Sequence, residues 1–523
     1  MIAAKLAAPL LFHWAIALIN ASPVGAGDCS RPTAVLADGV VIGTTSRLVS
    51  TPHLTVHQYL GVPFAKSPPR RFMPPEESTP WNSPWDASYL RPSCFQYFPS
   101  SELREIFNDP PPPESEDCLY LNIFVPPTPP PTGGFSVLFW IHGGTFQLGS
   151  GRLPDYDGSS IAANQEVVVV TINYRTNVFG FPGSQDIPLQ QRNLGLMDQR
   201  KALAWVNKNI KAFGGDPSQV TIFGESAGGF SVKQLLINPP SPSQFRAAII
   251  QSQAFGPVES NEEDWMVLTR KLGCNEHCVG STQLDCVAKV PAEAILKILD
   301  EEGLGFAPIV DNTTNGPFFA EAILQRRAAS VPILIGTNAD EGSILASVMP
   351  PLEVMLDGIF RNDTASKNFA RSAYPTNLTE HELKALILTD HTYTCTTSAT
   401  ARAAVSSAQS VWRYYFNASF PNNQPIPGAG AWHTSEIPIV FGTYRRDNQT
   451  TFEQSLLSRA MQKAWGDFAK TPETGPGWAR MGSSVDDLRI FDTSGNSSGR
   501  SADTQVVDSV CIYYEEAIEA NGF

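Results

Sequence analysis

Short, almost continuously apolar runs punctuate the chain at residues 136–141, 167–174, 220–223, 247–251 and 332–335. Strands buried on both faces of a parallel sheet carry that pattern, because neither side of the pleat meets water. Residues 118–125 instead alternate, as a half-buried strand does. From 198 to 213, Ala202, Leu203, Val206, Ile210 and Phe213 recur at helical spacing, and Gly214 supplies a stop. Residues 452–469 and 511–520 predict helices as well. Alternation of strand and helix predicts one wound α/β domain, a mostly parallel sheet with helices on both faces. Proline-rich stretches at 110–113 and 126–131 read as exposed loops, since strand-like sequence resumes directly after them.

The N-terminus reads differently. Residues 1–5 carry one positive charge, 6–19 are largely apolar, and small residues follow at Ala21 and Ser22. This is the pattern of a signal peptide, 1–21, ahead of a single mature domain, 22–523. The apolar run is shorter than the roughly 18–20 residues of a spanning helix, so no stable membrane anchor is expected. A secreted chain with eight cysteines is expected to form disulfides. Six glycosylation sequons, at Asn312, Asn362, Asn377, Asn417, Asn448 and Asn496, agree with an extracellular location.

Composition narrows the function classes. Hydrophobic residues make up 42% and charged residues 17%, which suits a globular protein with a large core. The balance of 37 basic against 51 acidic residues gives a formal charge of −14. Such a surface repels phosphate backbones and anionic leaflets, which argues against nucleic acid and polybasic membrane attachment.

Chemistry enters at Gly224-Glu225-Ser226-Ala227-Gly228, directly after the apolar run 220–223. A strand ending in G-x-S-x-G before a helix is a nucleophile elbow, whose strained turn lifts the serine oxygen above the sheet. Acyl transfer also needs N–H groups aimed at the developing oxyanion. His142-Gly143-Gly144-Thr145-Phe146 follows the strand 136–141, so the expected donors are the N–H groups of Gly144, Thr145 and Ala227.

A base and an acid should follow the serine in the order Ser, Asp or Glu, His. His277, His381, His391 and His433 remain as bases. Only His433 sits in a loop of small residues, Gly428-Ala429-Gly430-Ala431-Trp432-His433, which suits a mobile imidazole. Asp340-Glu341-Gly342 follows the strand 332–335 and would place an acid at the edge that carries the elbow. Physics at this level does not choose between Asp340 and Glu341.

Together these residues resemble the type-B carboxylesterase/lipase family, the cholinesterase-like α/β hydrolases with secreted fungal members. The likeness runs from about Val35 to Cys511. It is carried by Glu116-Asp117-Cys118-Leu119-Tyr120-Leu121-Asn122, Asn173-Tyr174-Arg175, Asn193-Leu194-Gly195-Leu196-Met197-Asp198-Gln199 and the elbow itself. The resemblance implies an α/β-hydrolase fold and a Ser226–Glu341–His433 triad, with Glu341 as the acid. It also implies disulfides Cys94–Cys118, Cys274–Cys286 and Cys395–Cys511, leaving Cys29 and Cys278 over. The implied reaction passes through an acyl-enzyme on a small-molecule ester, with no metal or organic cofactor. It needs a neutral His433, so activity should fall at acid pH.

Two departures shape the expected substrate. Thr145 stands where the family's oxyanion loop has its third glycine. Phe107 stands where choline-cleaving relatives hold the quaternary ammonium on a Trp, and Ile344 and Leu345 replace aromatics after the acid. Choline esters are therefore disfavoured. The loop Cys94–Cys118, which becomes a lid in lipases, carries Glu102, Glu105, Asp109, Glu114 and Glu116 and shows no broad apolar face. That favours soluble short- to medium-chain esters over the lipase or sterol esterase alternative. A non-catalytic adhesion ectodomain is the rival of another class, and retention of Ser226 argues against it.

Overall fold

Strands β1 (Thr44–Arg47) to β11 (Arg500–Ala502) build an 11-stranded sheet. Between them in chain order come β2 (Thr55–Pro63), β3 (Tyr120–Val125), β4 (Phe135–Ile141), β5 (Val168–Ile172) and β6 (Gly215–Glu225). The rest are β7 (Ala247–Gln251), β8 (Ile333–Asn338), β9 (Val411–Asn417) and β10 (Leu488–Asp492). Their spatial order is β11-β10-β9-β8-β7-β6-β4-β5-β3-β2-β1. The contiguous centre from β10 to β5 is parallel, while both edges are antiparallel. A separate three-stranded sheet joins Thr33–Leu36, Gly39–Ile42 and Trp85–Asp86. This is the α/β-hydrolase architecture expected from the sequence. The computed structural model describes residues 31–48, 54–253, 260–274, 282–316, 318–361, 363–493 and 498–520. The expected signal peptide, 1–21, with Cys29, Cys278, Asn362 and Asn496, lies outside the described residues.

The apolar runs are buried on both sides of the sheet. Val137, Phe139 and Ile141 of β4 join one core, and Leu138 and Trp140 of the same strand join the other. Helix Leu194–Asn209 closes the first face with Ala202, Leu203 and Val206. Helix Phe452–Lys470 closes the second with Leu457, Met461, Trp465 and Phe468. Each such side chain stabilises the fold by about 1.5–3 kcal/mol relative to exposure, so the double-sided sheet carries much of the stability.

Several expectations shift. The helix expected at 198–213 begins four residues earlier, at Leu194, and ends in a 3₁₀ turn, Ile210–Phe213, before Gly214 at φ 80°. Asp198 lies within the helix and pairs with Arg175. The closing helix expected at 511–520 divides into a 3₁₀ turn, Ser509–Tyr513, which holds the disulfide-bonded Cys511, and a helix, Glu515–Ala520. Cysteines pair as Cys94–Cys118, Cys274–Cys286 and Cys395–Cys511. Asn312, Asn377, Asn417 and Asn448 are exposed.

Candidate active site

Parallel strands deliver their carboxyl ends to one edge of the sheet, where open α/β sheets carry their sites. Ser226 follows β6 and precedes helix Ala227–Ile237, with φ 57° and ψ −120°. A non-glycine residue there is strained, and the flanks explain how the turn survives. A Cβ on Gly228 would lie 2.0 Å from the carbonyl oxygen of Ile141, and one on Gly224 would lie 2.6 Å from Gly228. Only glycine fits at either position. Ser226 donates its N–H to Gln251 O at 3.0 Å, which anchors the elbow to β7.

The loop after β4 lies against this turn. A Cβ on Gly143 would come within 3.0 Å of Ser226 Cβ. Gly144 has φ 108° and Thr145 φ 52°. The left-handed backbone explains why this position suits glycine, and a β-branched Thr145 there is strained. The N–H groups of Gly144, Thr145 and Ala227 donate to no acceptor among the described residues. His142 takes no part in this array. It stacks on Tyr174 with ring centroids 4.2 Å apart, and burial lowers its pKa to about 4.

Asp340 and Glu341 separate cleanly. Asp340 Oδ2 accepts the N–H of Ala431 at 2.8 Å, tying the acid loop to the histidine loop. A Cβ on Gly430 would lie 2.2 Å from that oxygen, so the contact requires glycine. Glu341 is fully buried; its Oε1 accepts the N–H of Asn338 at 2.7 Å and its Oε2 meets His433 Nδ1 at 2.6 Å. The other candidate bases among the described residues lie elsewhere. His381 is exposed beside Ser343 O, and His391 is half-buried against Tyr514. His277 lies outside the described residues.

The site also holds groups that the sequence reading passed over. Glu225 Oε1 lies 3.1 Å from His433 Nε2 without hydrogen-bond alignment. Ser226 Oγ makes no hydrogen bond among the described residues. Glu436 accepts from Gln251 Nε2 at 3.0 Å and Asn338 Nδ2 at 2.6 Å. Burial pushes Glu225 well above the carboxylate range against the pull of His433, with Glu436 and Glu341 adding like charge. Burial, then Glu341, raises Glu436 to about 7. For His433 burial opposes the charge, but Glu225 and Glu341 outweigh it and raise the imidazole to about 9. One signal was available in the sequence: Glu225 is an acid two residues beyond the apolar run 220–223.

The Cys94–Cys118 loop departs from expectation. It contains helix Ser101–Phe107, capped by Ser100, with exposed Glu102, Arg104 and Glu105 on its outer side. Leu103, Ile106 and Phe107 turn inward and pack with Ile344, Ala429 and Trp432 beside the acid and histidine loops. The loop does carry an apolar face, which helical folding concentrates on one side. Among the described residues no His, Cys, Asp or Glu cluster is arranged to hold a metal, and no helix is long and apolar enough to cross a membrane.

Comparison with known proteins adds an independent line. Residues 30–498 match the family model described as the carboxylesterase family. A para-nitrobenzyl esterase of Bacillus subtilis (strain 168) is 36% identical, covering 83% of this chain and 88% of the relative. The acetylcholinesterase of Electrophorus electricus is 34% identical over 83% of this chain and 79% of its own length. Secreted lipase 5 of Gibberella zeae is 30% identical over 88% and 90%. A solved PNB esterase structure superposes with a TM-score of 0.75 at 33% identity, covering 94% of this chain and all of that one.

Proposed function

Because the chain belongs to the carboxylesterase family and is a carboxylic ester hydrolase, we propose that it cleaves soluble short- to medium-chain esters through Ser226, His433 and Glu341. The observation that carries this reading is the 2.6 Å contact between His433 Nδ1 and buried Glu341, next to a strained serine.

Neutral His433 takes the Ser226 proton as the oxygen attacks the ester carbonyl. Its Nε2 must first turn from Glu225 toward Ser226 Oγ, a tightening that catalytic contacts commonly undergo when substrate binds. Glu341 keeps Nδ1 protonated and stabilises the imidazolium. The free N–H groups of Gly144, Thr145 and Ala227 receive the oxyanion. His433 then protonates the leaving alcohol, and water repeats the sequence on the acyl-enzyme. We infer an extracellular location from the three disulfides and the relative named a secreted lipase.

A second reading, lipase action, is favoured by the inward apolar face of helix Ser101–Phe107, which would be uncovered if that helix swung away. One experiment separates the two: hydrolysis of p-nitrophenyl esters from acetate to palmitate by the wild type and Ser226→Ala. We expect a short-chain maximum and loss of at least about 10⁴-fold in the variant. A long-chain maximum with a jump above substrate solubility would establish the lipase reading. Ester hydrolysis unaffected by Ser226→Ala would overturn the proposed nucleophile.

A further inference from the structure

An eight-residue π-helix, Leu388–Cys395, lies beside the catalytic pole. Such helices are rare, and they gather at functional sites. This one touches the residue after the acid and the ring of the base. Thr389 Oγ1 accepts the N–H of Gly342, next to Glu341, at 2.9 Å. Tyr393 lays its ring against the imidazole of His433, with centroids 4.8 Å apart and planes 46° apart.

The segment is held from several sides. Helix Glu380–Ile387, which leads into it, approaches the acid loop so closely that a Cβ on Gly342 would lie 2.1 Å from Ala385 O. Asp390 Oδ2 accepts the Tyr374 hydroxyl at 2.7 Å, and Cys395 is bonded to Cys511. Tyr393 is 3% exposed, so its ring has little room to leave.

We propose that Tyr393 is a positioning residue for ester hydrolysis: its ring limits the swing of His433 and stabilises the imidazolium that forms when Ser226 loses its proton. The proposal rests on the triad reading above. With Nδ1 held by Glu341, the imidazole retains freedom to swing about that contact, carrying Nε2 between Glu225 and Ser226. An aromatic wall against the ring restricts that swing. The negative face of an aromatic ring also attracts a cation within about 6 Å, more strongly when water is excluded. The ionisable groups around His433 are Glu341 after β8, Glu225 at the end of β6, Glu436 in the following turn, and Tyr393 itself.

The test uses the full-length enzyme and a soluble p-nitrophenyl ester, with Ser226→Ala measured first. Loss of activity there secures the nucleophile on which the triad reading turns; retained activity overturns that reading and this one with it. Tyr393→Phe keeps the aromatic face and should stay within about twofold of wild type in kcat and KM, with an unmoved pH profile. Tyr393→Leu keeps the pocket apolar but removes that face. It should lower kcat about tenfold, leave KM within about twofold, and move the rising limb of kcat/KM about half a unit to lower pH. Should Tyr393→Leu fail to fold, Tyr393→Met carries the same test. A folded Leu or Met variant with wild-type kcat and an unmoved limb overturns the proposal. So does a Phe variant as impaired as Leu, because the hydroxyl would then carry the effect.

Discussion

Two groups of buried charge in this molecule are built on opposite plans. Arg175 and Asp198 form a closed pair. Arg175 Nε and Nη2 donate to the two Asp198 oxygens at 2.8 and 2.7 Å, its backbone N–H adds a third contact, and Nη1 donates to Met73 O. Charge and hydrogen bonding are both satisfied, as burial of an ion pair demands. At the proposed catalytic pole Glu225, Glu341 and Glu436 surround a single imidazole, and Glu225 Oε1 lacks a hydrogen bond. The first plan fixes helix Leu194–Asn209 against the strand edge. The second leaves protons in competition, which is what a site that moves protons requires.

The contrast can be broken by substitution. The largest effect belongs to Glu341→Gln. It should lower kcat/KM by about 10⁴-fold, because the imidazolium loses its counter-charge and tautomer control. Thermal unfolding should change little; a kinetic loss under tenfold would show that Glu341 is not the acid. Next comes Asp198→Ala, which strands a buried guanidinium and should cost about 3–5 kcal/mol in stability. A lowered urea midpoint, with normal activity per folded molecule, checks this. An unchanged midpoint would mean the pair is dispensable.

The smallest effect sharpens the comparison most. In the proposed mechanism His433 is the base and works only when neutral, so activity should rise with pH through its elevated pKa of about 9. Glu225 is among the groups that raise it. Glu225→Gln removes a carboxyl group that competes with the imidazole for a proton and, wherever it is ionised, stabilises the imidazolium; the substitution should move the rising limb of kcat/KM down by about one pH unit. A limb that stays put or moves upward would remove Glu225 from the shared titration.

Legibility in the sequence followed the range of the interaction. The elbow could be read because its demands are local: Gly224 and Gly228 must lack a Cβ within four residues of each other. The central strands could be read because two-sided burial leaves an apolar run. Strand β9, Val411–Asn417, was missed although it is buried along most of its length, because Arg413 and Asn417 interrupt the apolar signal. The role of Arg413 is tertiary: it pairs with Asp508, 95 residues away. The inward face of helix Ser101–Phe107 was hidden by its acidic outer side until folding separated the two.

By itself the sequence determined the elbow, the glycine-rich loop after β4 and the wound α/β plan, since each depends on sterics or periodicity over a few neighbouring residues. Local pattern left Asp340 and Glu341 open; which of them meets His433 is decided by tertiary structure, because Glu341 and His433 are 92 residues apart and their contact depends on how two loops dock. Asp340 is spent on that docking, against Ala431, and Glu341 is thereby turned to the imidazole. The proton competition around Glu225 and Glu436 is likewise a property of the fold, since the field at a buried carboxylate sums over every charge packed near it.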